Sequence, residues 1–388
     1  MLKRLALIML LLPTGTEALV AQRPGTTSAT TSATTSAATP TSLAPPSATA
    51  FARLVGDLSE PGGFFDTDNL ISNERSYLHV MGTLDRLGVR GGAYIGVGPD
   101  QSFSYIARTR SEIAFLLDIR RDNLLQHLLF KALFARSRTR AEYLALWLGR
   151  SVPPPDVRLV TRSIGELVAQ LDAAPATLAS RAWASDSILA DVQRLGIALS
   201  ATDLATIARF HRDFMRDGLS LRFTSIGRPP RAYYPTLRDL LLETDRSGRL
   251  ASYLASEADF QYVKELQRRN LVIPVVGDLA GATALRGIGR SVRAMGRTVS
   301  VLYVSNAEDY VMRDGGFAAY AASVQSLPRA PGGVMIRSWF GGPGTHPHEV
   351  PGYFSVQLLQ TFDAFLDTAR AGAMWSYRAL VLSPHESP

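Results

Sequence analysis

The 388-residue chain contains no cysteine. Disulfides, a thiol-linked lipid anchor, thiolate catalysis and cysteine-bound metals are therefore excluded. Long apolar runs are missing too, because the longest N-terminal one, Leu5 to Leu12, is too short to span a bilayer. No Gly-x-Ser-x-Gly elbow occurs, so an α/β-hydrolase is not expected, and no Gly-Lys-Ser or Gly-Lys-Thr loop is present to cradle phosphates. Charge of one sign never accumulates either. The 41 Lys plus Arg against 34 Asp plus Glu leave a net +7, supplied almost wholly by arginine. These basic residues alternate with acids, as in Arg120-Arg121-Asp122 and Arg136 to Glu142. Nucleic-acid binding and membrane-surface binding are accordingly not expected. His346-Pro347-His348-Glu349 lies among prolines and glycines, and two histidines two apart share no helix face, so no metal site is expected.

What is present begins with Lys3 and Arg4, the short apolar run and small residues leading to Ala18 and Ala21. This has the form of a secretory signal over residues 1–21, which predicts an exported, periplasmic or secreted protein with no transmembrane segment in the mature chain. Residues 22–50 collapse to Thr, Ser, Ala and Pro and read as a disordered tether. The folded part is expected over 51–388.

That part is organised around Ala93-Tyr94-Ile95-Gly96-Val97-Gly98-Pro99-Asp100 and, twenty-two positions after Gly96, Asp118 at the end of Ile113 to Asp118. The pattern is strand, glycine turn, short helix, strand, carboxylate. Two glycines let backbone approach a nucleotide-like ligand, and an acid about 20 residues on can accept both ribose hydroxyls. The third glycine of the dinucleotide fingerprint is absent, with Gln101 and Ser102 in its place. Ahead of the first strand, Asp66, Asn69, Asn73 and Glu74 gather among aromatics, and Ser72 or Asn73 can cap a helix from Glu74 to Leu87.

After Asp118 an apolar helix is expected over about 122–135, followed by a mainly helical insertion at 137–270. Within it, Ser200 to Asp203 and Ser256 to Asp259 open helices, and His211 falls on an apolar face as a hydrogen-bonded core residue. The loop from Phe223 to Pro235, with Tyr233, Tyr234 and two arginines, fits a lid, an anion contact or a plain surface loop. Strands then fit Leu271 to Asp278, Val299 to Asn306 and Gly333 to Phe340, a helix fits Ser355 to Ala371, and a last strand fits Tyr377 to Leu382. Alternating helices and apolar strands predict an α/β fold: a doubly wound, mostly parallel, Rossmann-like sheet with a long helical insertion between the second and third strands. Glycine or polar chemistry then stands at four strand ends, which form the ligand crevice of an open α/β sheet.

With Gly96, Gly98, Asp118, Asp278 and Asn306 so placed, the sequence resembles the class I S-adenosylmethionine-dependent methyltransferases. The resemblance implies a methyltransferase-like fold with S-adenosylmethionine as cofactor. Gly96 and Gly98 would then approach its methionine part, Asp118 its ribose and Asp278 its adenine. Asp66, Asn69, Asn73, Glu74, Asn306, Tyr233 and Tyr234 would face the acceptor, a small-molecule substrate of unspecified kind. The chain departs from that family in having Tyr94 where an acid usually precedes the first glycine by two residues, in the missing third glycine, and in the insertion. It also resembles a group of uncharacterised bacterial proteins sharing the Asp-Asn-Leu-Ile-Ser-Asn-Glu, Gly-Val-Gly-Pro and Val-Val-Gly-Asp segments. Export separates the chain from a cytosolic cofactor. Two readings therefore stand: a methyltransferase, cytoplasmic if the start site is misassigned, or an exported non-catalytic protein that binds a small molecule in the same crevice.

Overall fold

The computed structural model describes residues 43–67, 69–154, 156, 158–342, 344–372 and 376–386. The expected signal segment and the tether as far as Ser42 lie outside the described residues. The first helix, α1 (Ala48–Leu58), starts three residues before Phe51, because the Ser47 hydroxyl caps it by accepting from the Ala50 amide.

Six strands form one sheet: β1 (Ala93–Gly96), β2 (Ile113–Asp118), β3 (Val272–Val276), β4 (Val299–Ser305), β5 (Arg329–Trp339) and β6 (Val356–Thr361). Their spatial order is β3-β2-β1-β4-β5-β6, parallel except for β6, which runs antiparallel to β5. The chain thus steps outward from β1 to β3, then returns past β1 and steps outward the other way from β4. Right-handed crossovers in the two directions place helices on both faces. Strands covered on both faces need continuous apolar runs, and Ile113 to Leu117 is fully buried.

Between β1 and β2 lies α3 (Gln101–Thr109), preceded by α2 (Met81–Arg86), and after β2 comes α4 (Arg121–Arg136). The span from there to β3 holds α5 (Arg140–Trp147), α6 (Arg158–Thr161), α7 (Ile164–Ala173), α8 (Leu178–Gln193), α9 (Ala201–Asp217), α10 (Leu237–Leu241) and α11 (Glu257–Arg268). Helix α4 is the hub of this layer, packing on β2 and β3 beneath and on α8, α9 and α11 above. That double role explains why every residue from Asn123 to Phe134 is buried. The second layer comprises α1, α12 (Ala284–Ala294), α13 (Ala307–Arg313), α14 (Phe317–Ser326) and α15 (Phe362–Arg370), with α16 (Tyr377–Val381) near the end. Among the described residues no helix is long and apolar enough to cross a membrane.

Three expectations are corrected here. The segment after Glu74 is a short 3-10 turn, Arg75–Leu78, followed by α2, rather than one helix to Leu87. Residues 355–371 are β6 followed by α15, and 377–382 are the helix α16 instead of a strand. In α16 the Ser376 hydroxyl accepts from the Ala379 amide, an N-cap that fixes helical backbone.

At the outer edge of the sheet, β3 carries Pro274, which has no amide hydrogen to donate. Its last residue is engaged by the chain leaving α1: the Val276 amide donates to Ser59 Oγ at 3.1 Å, and the Glu60 amide donates to the Val276 carbonyl at 2.8 Å.

Candidate functional site

The carboxyl ends of β1, β2, β3 and β4 open into a cleft of about 360 Å³. It sits where the strand order reverses between β1 and β4, the position at which open α/β sheets bind ligands.

The turn after β1 is shaped by two glycines for different reasons. Gly98 has φ +78°, a left-handed conformation that glycine adopts without strain. Its carbonyl accepts from His127 Nε2 at 2.9 Å. Burial pushes that imidazole down to about 4, so it stays neutral and donates from Nε2. Gly96 is needed for space: a Cβ there would run into the ring of Tyr94, with Cε1 at 2.5 Å. Tyr94 is fully buried and turned under the loop.

Asp118 closes β2. Its Oδ1 accepts the Arg120 amide at 2.9 Å and lies 3.5 Å from Arg120 Nε. Burial raises its pKa against the opposing effect of Arg120 and of the Gly98 amide. The Asp118 carbonyl accepts the Gly277 amide at 2.8 Å, which ties the β2 and β3 ends together. Asp278 follows, its Oδ1 taking the Ala280 amide at 2.8 Å. The loop bearing Asp278 is held by Glu60, whose carboxylate accepts the amides of Asp278, Thr283 and Ala284 at the start of α12. Burial works to raise the Glu60 pKa, but these hydrogen bonds hold it below the ordinary value.

The facing wall comes from two segments far apart in the chain. The Ile226 amide donates to the Asp66 carbonyl at 2.7 Å, Thr67 Oγ1 donates to the Thr224 carbonyl at 2.5 Å, and Arg228 pairs with the Asp66 carboxylate. Gly227, at φ +71°, allows the tight turn that carries Arg228. Phe65 meets Tyr310 of α13 edge-on at 4.8 Å, and Phe223 meets Tyr234 in the same way.

Of the residues singled out from sequence, Gly98, Asp118, Asp278, Asp66, Asn69, Asn73, Asn306 and Tyr234 line this one cleft. Three do not. Gly96 lies beneath the turn, against Tyr94. Tyr233 stacks on Phe354 at 3.6 Å and 13°, which fixes its ring outside the cleft lining. Glu74 is wholly buried behind Ser305 and Tyr303. The sequence reading missed Phe64, Phe65, Gln101, Arg228, Tyr310 and Asp314 in the lining. The arginine-bearing loop is visible in the sequence, whereas nothing local identifies Glu60, whose partners lie more than two hundred residues away. His211 donates to the Leu146 carbonyl at 3.0 Å in the core, and His346 Nε2 donates to the Val381 carbonyl.

Fold and cleft together define an α/β protein with a small-molecule-sized cleft at the carboxyl edge of a mostly parallel sheet. The chain belongs to the family described as Domain of unknown function (DUF7790), which it matches over residues 70–162 and 231–383. No curated protein matches it. The matched segments carry Gly98, Asp118, Asp278 and Asn306, while Asp66 and the turn bearing Arg228 fall outside them.

Proposed function

We propose that this cleft binds a nucleoside-bearing small molecule in a Rossmann-like, methyltransferase-like manner, with S-adenosylmethionine or its demethylated product as the leading ligand. The observation that carries the reading is the convergence of Gly98, Asp118, Asp278 and Asn306, from four successive parallel strands, on one cavity. The strand order agrees with the doubly wound dinucleotide-binding arrangement. Asp118 uses Oδ1 for Arg120, and a carboxylate offers about four lone-pair sites, so capacity remains for ribose hydroxyls.

Charge argues for a ligand without phosphates. Asp66, Asp118, Asp278 and Asp314 line the cleft against Arg228, itself paired with Asp66. The N-terminus of α3, where a pyrophosphate would sit in a dinucleotide fold, is preceded by the buried Asp100 and occupied by Gln101. A sulfonium nucleoside suits such a site better than a dinucleotide does.

One observation favours the second reading, an exported, non-catalytic binder. Tyr94 fills the space under the glycine turn, where the methyltransferases place an acid. Calorimetry with S-adenosylhomocysteine tests the binding reading directly. Asp118→Ala should weaken affinity roughly 10- to 150-fold, the equivalent of one charge-assisted hydrogen bond. Absence of binding by the wild type at millimolar ligand would remove the nucleoside assignment. Fractionation of the native host with mass spectrometry of the mature N-terminus separates the two readings, since a processed chain in the exported fraction counts against methyl transfer.

A further inference from the structure

Glu74 has no solvent exposure, and the groups that bond it are all neutral. Tyr303 Oη donates to Oε2 at 2.7 Å, Gln357 Nε2 donates to Oε2 at 2.5 Å, and Ser305 Oγ donates to Oε1. The titratable groups facing it are the phenols of Tyr94, Tyr105, Tyr303 and Tyr377. Among the described residues no cation pairs with this carboxyl, unlike Glu308, which is equally unexposed and is paired with Arg337. Burial raises the Glu74 pKa against the pull of its donors.

Two bridges connect it to the cleft. Gln101 lines the cleft and donates to Tyr303 Oη at 3.2 Å. Ser305 lines the cleft itself, at the abrupt junction of β4 and α13, with φ +54°. A non-glycine residue in the left-handed region is strained and persists where surrounding structure enforces it. Here that conformation sets one hydroxyl between the cleft and the buried carboxyl, with Asn306 Oδ1 at 3.3 Å from the same oxygen.

Building on the methyltransferase reading, we propose that Ser305 and Glu74 form the proton-accepting end of the cleft, and that its methyl acceptor is protic: a hydroxyl, a thiol or an ammonium group. The acceptor proton passes to Ser305 Oγ as the serine's own proton passes to Glu74 Oε1. The freed lone pair of the acceptor forms the new bond to the methyl carbon. The carbon–sulfur bond breaks with its electron pair staying on sulfur, which turns the sulfonium into a neutral thioether and leaves Glu74 neutral. An acceptor with no proton to lose, such as a pyridine nitrogen or a thioether, gains nothing from the pair.

Two measurements test this. The first requires no acceptor: infrared difference spectra of protein carrying 13C-glutamate, titrated with pH, with Glu74 assigned through its shift in Ser305→Ala. A carboxylate at mildly alkaline pH that protonates above the ordinary glutamate range is expected. A carboxyl already protonated there overturns the proposal, because it has no site left to take a proton. The second measures methyl transfer from S-adenosylmethionine to a panel of phenols, thiols, amines, pyridines and thioethers. Transfer to the protic members alone is expected, with kcat lowered about 10²- to 10⁴-fold in Ser305→Ala and Glu74→Gln while KM for the cofactor is retained. Transfer to pyridines or thioethers at rates indifferent to both substitutions also overturns it. If the wild type binds neither S-adenosylmethionine nor S-adenosylhomocysteine, the cofactor reading fails, and the infrared result still decides whether the pair holds a transferable proton.

Discussion

Replacing Arg337 by methionine should be strongly destabilising. Arg337 and Glu308 are both fully buried. The guanidinium grips the carboxylate twice, Nε to Oε2 at 2.7 Å and Nη2 to Oε1 at 3.2 Å, while Nη1 reaches Gln360 Oε1 at 2.6 Å and His385 Nε2 at 3.0 Å. Methionine retains much of the stem volume but leaves Glu308 with Tyr320 Oη, at 2.9 Å, as its remaining side-chain donor. Losing a neutral hydrogen bond costs about 1 kcal/mol, whereas an uncompensated buried charge costs about 3–5 kcal/mol, so the charge decides the outcome. Against a typical total of roughly 5–15 kcal/mol this is a large fraction. Urea unfolding should show the midpoint fall at unchanged slope. The double variant Glu308→Gln, Arg337→Met removes the stranded charge and should recover about 1–3 kcal/mol relative to additivity. A loss below about 1 kcal/mol in the single variant, or strict additivity in the double, would refute the reasoning. The function should suffer too, because Glu308 lies on α13 two residues after Asn306, and that helix carries Tyr310 into the cleft lining.

Gly96→Ala should cost about 1–3 kcal/mol by overpacking, since the buried Tyr94 has nowhere to go, and in a Tyr94→Leu background most of that penalty should vanish in a thermal melt. His211 is held neutral in the core by burial, which pushes it down to about 4. Its folded pKa lies below the unfolded value, so the unfolded chain binds the proton first and stability is lost as pH falls from about 6.5 toward 4. Between about pH 7 and 5 this amounts to roughly 2 kcal/mol, which His211→Gln should abolish. Asp100, pushed up to about 7 by burial, acts in the opposite sense and cancels in the difference between variant and wild type. Equal acid sensitivity of the two proteins in urea melts would contradict this assignment.

The parts of the fold legible in the sequence are those where a run has one way to be buried. Ile113 to Asp118 and Val299 to Ser305 are apolar stretches ending in a polar residue, Val272 to Val276 runs directly into Gly277-Asp278, and each forms a parallel strand delivering its end to the cleft. Ser200 signals its helix just as locally, its hydroxyl accepting the Asp203 amide at 3.1 Å while Asp203 takes the Ser200 amide at 2.8 Å. The β6 segment was illegible for a tertiary reason. Gln357 and Gln360 look like the polar face of a helix, yet both are buried, bonded by Ser338 and Arg337 across the strand pair. Their partners lie on β5, whose edge offers the ladder that β6 completes. Short runs such as Tyr377 to Leu382 suit either state, and with β6 already beyond β5 the segment took the helix that Ser376 caps. By sequence Glu74 groups with its polar neighbours in the cleft, but its donors reside on β4 and β6, which no local pattern announces.

The far edge of the sheet has a consequence for self-association. A bare outer strand offers its amides and carbonyls to any passing chain, which is how native proteins seed aggregates. In β3 that offer is withdrawn three times: Pro274 lacks a donor, Ser59 and Glu60 occupy both backbone groups of Val276, and α1 packs along the strand. The helix that Ser47 caps is therefore a guard as well as a piece of core. A version of the protein trimmed to begin after Leu58 would keep its cleft residues, with Pro274 and the Ser59–Glu60 contacts left as the remaining guards of that strand.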